Sequence, residues 1–148
     1  MRRSTSVRTP ARVAAFLALA VFFPAVLAVR LRADDKPSKL AHDLVGAWVV
    51  VGTPGKVEAP KPGATVKFIA GGHWAITEAD PKTHVVVYHH GGTYTLDGDT
   101  YVETVEYANE STGSMINEKF RFKIKLEGET LTQTGLGNPY TEVLKRLK

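Results

Sequence analysis

The sequence predicts an all-β protein: an antiparallel up-and-down meander that closes into a small barrel of eight to ten strands. Three observations carry this reading. Residues 118–127 alternate Phe120, Phe122, Ile124 and Leu126 with Lys119, Arg121, Lys123 and Lys125, the period of a strand with one buried and one wet face. About nine short runs of this type fit between residues 44 and 148, each bounded by turn residues. No run after residue 44 shows an amphipathic helical period.

Each strand has its own warrant. Leu44–Val51 is β-branched with a single Trp. Ala64–Ala70 places Val66 and Phe68 on one face, and His73–Glu78 does the same with Trp74 and Ile76. Gly71-Gly72 lies between them as a turn. Asp80-Pro81-Lys82-Thr83 is turn chemistry ahead of a strand at His84–His90. Thr93–Leu96 and Thr100–Tyr107 flank Asp97-Gly98-Asp99, a hairpin signal. Gly128 separates Phe120–Glu127 from Thr130–Thr134, and Tyr140–Leu147 is the last strand. Short successive turns favour a meander, and closure removes its exposed edges.

The N-terminus reads as an export signal. Four arginines fall in residues 2–12, followed by the uncharged run Val13–Val29, a positive region and an apolar region in signal-peptide order. The run is shorter than the roughly 20 apolar residues of a membrane span and contains Pro24. Cleavage is expected after Ala33 or Ala28, dividing the chain into a signal at 1–33, a polar linker at 34–43 and a barrel at 44–148. The mature protein is then periplasmic or secreted, with no membrane span left after cleavage. The alternative is an uncleaved signal anchor.

The overall charge of +4 comes from this leader, which holds six of the 19 basic residues. From Asp34 onward, 13 basic residues face 15 acidic ones, a net of −2. A weakly acidic body offers no electrostatic footprint for nucleic acid. The absence of cysteine excludes disulfides, thiolate catalysis and cysteine-ligated metals.

Gly46-Ala47-Trp48 opens the first strand and Arg146 lies in the last. This pair resembles the Gly-x-Trp and C-terminal Arg of the lipocalin and wider calycin group. Residues 44–148 also resemble small bacterial lipocalin-like domains of unassigned function, through Leu44–Trp48, Gly91–Leu96 with Gly98–Tyr101, and Glu142–Arg146. The resemblance implies a small lipocalin-like barrel. Gly46 would let the chain pass the barrel floor, Trp48 would plug it, and Arg146 would lie across the indole within about 6 Å. It names no ligand, and it departs from classical lipocalins in its short body and lack of cysteine.

Candidate lumen residues are Phe68, Trp74, Ile76, Tyr88, Tyr94, Glu103, Phe120, Phe122 and Ile124. The aromatic ones describe equally a ligand cavity or a solid core. Strand parity turns one of Glu103 and Glu106 inward, where a carboxylate either anchors a basic ligand or pairs with Arg121 or a lysine. His84 and His90 share a face, but the spacing lacks a third ligand and no metal is expected. No serine sits in a nucleophile motif, and Gly135-Leu136-Gly137 is not a dinucleotide loop. No catalytic residue and no cofactor is expected.

Three functions remain open. The first is an exported protein holding a small apolar or amphipathic molecule in the barrel. The second is a structural or interaction domain of the cell envelope with a filled core. The third is an enzyme built on Glu103, His84 and His90, and it has the least behind it.

Overall fold

Two-residue turns at Gly71-Gly72, Gly98-Asp99 and Gly128-Glu129 set the topology, because such short links can join only antiparallel neighbours. In the computed structural model, which describes residues 38–148, nine strands follow in sequence order. They are β1 (Gly46–Thr53), β2 (Lys56–Val57), β3 (Val66–Ala70), β4 (His73–Ala79), β5 (Val86–Asp97), β6 (Thr100–Ala108), β7 (Lys119–Glu127), β8 (Thr130–Gly135) and β9 (Thr141–Arg146). Strand β9 returns to pair with β1, so β1 and β3–β9 form a closed eight-stranded antiparallel barrel. Strand β2 hairpins back onto the end of β1 outside the ring. The segment expected to be a signal peptide, both expected cleavage positions and residues 34–37 lie outside the described residues.

The polar lead-in is not all irregular. Lys39–Leu44 forms a short helix, α1, and the Ser38 hydroxyl caps its N-terminus by accepting from the Ala41 amide at 3.1 Å. Leu44 and Leu40 pack on the end of the barrel core. A 3-10 segment, Glu110–Met115, bridges β6 and β7, and Met115 packs on the core from the opposite end.

Strand β7 keeps its expected parity, with Phe120, Phe122, Ile124 and Leu126 inward and the basic residues exposed. Strand β1 is apolar on both faces because both are covered. Trp48 joins the interior, while Val49 and Val51 pack with Val143 and Val66 under the 58–65 loop.

Two strand assignments change. The runs His84–His90 and Thr93–Leu96 are one strand, β5, twelve residues long from Val86. Gly91-Gly92 is a bulge within it, where the register to β6 shifts. A Cβ on Gly92 would stand 2.1 Å from the Thr104 carbonyl oxygen, so only glycine allows the two backbones this close. The second change is β3. Its inner face carries Lys67 and Ile69, and Val66 and Phe68 face outward.

Candidate functional site: the barrel interior

One end of the barrel is sealed. Trp48 is 0% exposed, and its indole N–H donates to the Leu44 carbonyl at 2.9 Å. The Arg146 guanidinium lies over the indole at 4.1 Å and is the cross-strand partner of Trp48. Arg146 also donates to the carbonyls of Val45, at 2.8 Å, and Asp43, capping the C-terminus of α1. Gly46 sits at φ 150°, and a Cβ there would meet the guanidinium at 2.4 Å. Glycine is therefore favoured by conformation, and a Cβ would in addition displace the guanidinium.

Above this floor the interior is charged. Lys67 is 1% exposed and forms an ion pair with Glu103, which is 3% exposed. Its ammonium also donates to Gln133 Oε1 at 2.8 Å and lies 5.3, 5.3 and 5.6 Å from the ring centroids of Trp74, Tyr101 and Phe122. A buried ammonium needs such compensation because its hydration is lost. Burial pushes the Glu103 carboxyl above its ordinary range, and the Lys67 charge draws it back down. Burial likewise raises the Tyr101 phenol, with the Glu103 charge adding to it. The Tyr101 hydroxyl has no well-formed hydrogen bond.

His90 is buried between the edges of Trp74 and Tyr88, with ring centroids 5.3 and 5.0 Å away. Its Nδ1 has no hydrogen-bond partner. Burial, then the nearby Lys67 and His89, lower its pKa to about 4, so the imidazole is neutral at pH 7. Glu142 faces inward on β9 opposite Gln133 of β8. Burial raises its pKa, and Lys67 partly offsets the shift.

Lys67, His90, Glu103, Gln133 and Glu142 border a cavity of about 40 Å³. Such a space holds a few waters and is far below the roughly 300–1,000 Å³ of a site that encloses a drug-sized ligand. Of the nine lumen candidates, Trp74, Ile76, Tyr88, Glu103, Phe120 and Phe122 line it. Tyr94 and Ile124 belong to the core without reaching it. Phe68 does not belong to the lumen: it is 46% exposed on the outer wall. Its neighbour Lys67 occupies the interior because Glu103 and Gln133 are there to receive it. Lys67, Gln133, Glu142, Met115 and Tyr140 also line the cavity and were not candidates. The signal for Lys67 was Ile69, which shares its parity.

The two histidines considered together are apart. His84 stands in the exposed turn before β5, and His90 is inside. Among the described residues no three His, Cys, Asp or Glu side chains gather as a metal site. Glu106 points outward and accepts from the Thr93 hydroxyl at 2.7 Å. A larger cleft of about 610 Å³ lies between β1–β2, the 58–65 loop and the end of β4, and none of the buried ionisable residues lines it.

No protein-family model matches the chain, and no curated protein matches it in sequence. A solved structure is similar: the crystal structure of an uncharacterized protein from Bacteroides eggerthii, at 15% identity and a TM-score of 0.50. The match covers 70% of this chain and 98% of that one. At this identity the likeness concerns the fold alone.

Proposed function

We propose that residues 44–148 are a lipocalin-like binding module of an exported protein, taking the polar head of a small amphipathic molecule into the lumen. One observation carries the reading: a buried polar atom without a hydrogen-bond partner, His90 Nδ1, belongs to a residue that borders the interior cavity. Buried polar atoms normally find partners, and exceptions concentrate where function requires them. The Gly46, Trp48 and Arg146 arrangement supports the lipocalin-like type, and the arginine-led apolar N-terminus supports export. The cavity volume narrows the ligand from a wholly enclosed apolar molecule to one that inserts only its head.

Native mass spectrometry of protein purified from its own source tests this. A bound small molecule that is lost on Trp74→Ala supports the lumen as its site. An empty protein, together with a fragment screen that moves no resonance of Trp74, Tyr88 or Phe122, rejects it. The small cavity favours one second reading, a filled interaction domain. Its outer wall presents Phe68, Val85, Val86, Val87 and Tyr107, all more than 40% exposed.

A further inference from the structure

Of the two roles open to an inward carboxylate, a basic ligand or a lysine across the sheet, Glu103 takes the second, pairing with Lys67. That pair shows how this interior holds an ammonium: one carboxylate, one amide oxygen and aromatic faces. The mouth offers similar ingredients, and Lys67, the lysine that lines the same cavity, is already paired with Glu103. Strands β5, β7 and β9 all run from the open end toward the Trp48 floor. Each contributes a residue from its first turns of pleat: Tyr88, Phe120 and Glu142. Tyr140 stands just before β9, with its ring edge-to-face with Phe120 at 5.3 Å. All four line the cavity.

Among the described residues, no hydrogen bond or ion pair reaches the Glu142 carboxylate. The interior thus holds one lysine against two carboxylates, Glu103 and Glu142, an excess of one formal negative charge. His90 is neutral and adds no positive charge.

We infer that the mouth binds the ammonium head of a small organic cation, with Glu142 as counter-ion and Tyr88, Phe120 and Tyr140 as aromatic walls. The inference rests on the lumen being the binding site and names its ligand class. A cavity of about 40 Å³ suits a head group, and the remainder of the ligand would leave past the half-exposed Tyr140. Charge and ring faces act together here because aromatic quadrupoles attract cations most strongly where water is excluded.

The test titrates the full protein with n-butylammonium, 1-butanol and butyrate, three probes of similar shape and different charge, followed by NMR of the aromatic side chains. Butylammonium is expected to bind saturably and to shift Tyr88, Phe120 and Tyr140. Glu142→Gln should weaken it by about tenfold or more while leaving 1-butanol unchanged. If 1-butanol or butyrate binds the lumen of the wild-type protein as well as butylammonium, the cation inference falls and the lumen reading stands. Unaltered butylammonium binding in a folded Glu142→Gln protein has the same consequence. If no probe shifts these rings, both fall. The wild-type comparison decides the matter even where the variant does not fold.

Discussion

Arg146 stacks on Trp48 across the β1–β9 seam, 4.1 Å from the ring, and holds α1 against the barrel floor through the carbonyls of Asp43 and Val45. One side chain therefore joins the last strand, the first strand and the lead-in helix. Arg146→Ala is expected to cost about 2 kcal/mol, from the ring contact and the charged hydrogen bonds. Arg146→Lys should recover only part of it, since an ammonium lacks the planar fork. Trp48→Ala should cost more, about 3–5 kcal/mol. Urea denaturation of the three variants checks the order. Equal stability of Arg146→Ala and wild type would show that the seam holds without it.

Lys67 and Glu103 lie inside the barrel, where each needs the other. Lys67→Met alone leaves an unpaired buried carboxylate, and Glu103→Leu alone leaves an unpaired ammonium. Each is expected to cost about 3–5 kcal/mol. The double variant Lys67→Met with Glu103→Leu should be close to wild type or more stable, because apolar groups carry no desolvation penalty. A double-mutant cycle from denaturation curves measures the coupling. Additive losses would mean that the two charges do not depend on each other.

Gly92 tests the bulge. With the Thr104 carbonyl 2.1 Å and the Glu106 amide 2.8 Å from the site of a Cβ, Gly92→Ala must move backbone rather than a side chain. A loss of about 3 kcal/mol or outright failure to fold is expected. Gly98→Ala would meet no atom within 4 Å and carries only the conformational strain of its turn. A thermal melt of Gly92→Ala above that of Gly98→Ala would contradict the close approach.

The sequence shows the fold wherever one strand face meets water. In β7, lysines and an arginine mark the wet side, so the parity of Phe120 to Leu126 is readable. In β3 the same logic fails. Hydrophobicity alone turns Phe68 in and Lys67 out, and a shift of one residue exchanges the faces completely. What reverses it is non-local: Glu103 and Gln133 neutralise and hydrogen-bond Lys67 from strands β6 and β8. Gly-Gly is also ambiguous. At Gly71-Gly72 it is a turn and at Gly91-Gly92 a bulge, and only the packing of β4 and β6 around it distinguishes the two. Gln133 and Glu142 sit in short strands of mixed polarity, where parity has no apolar run to fix it. The Trp48–Arg146 contact was legible because the resemblance pairs those two positions.

His90 makes a pH prediction whose direction is set by its burial. Desolvation, with Lys67 and His89 adding repulsion, lowers its pKa from 6.5 to about 4 in the folded chain. Above pH 6.5 the imidazole is neutral in both folded and unfolded chains, and its contribution to stability is complete. Between about 6.5 and 4 the unfolded chain takes up a proton that the folded chain refuses, so stability falls. The whole loss is about 3 kcal/mol. Below pH 4 both states are protonated and nothing more is lost. Glu103 and Glu142 act in the opposite sense, since their raised pKa values make the folded chain the readier proton acceptor as pH falls. The raw stability curve mixes these effects, but the difference between wild type and His90→Gln isolates the imidazole. That difference should be flat above about pH 7.5 and should move by about 3 kcal/mol against the wild type by pH 4. Chemical denaturation across this range measures it. Parallel curves for the two proteins would mean that His90 titrates as an ordinary solvated histidine, and that water reaches the interior beside Trp74.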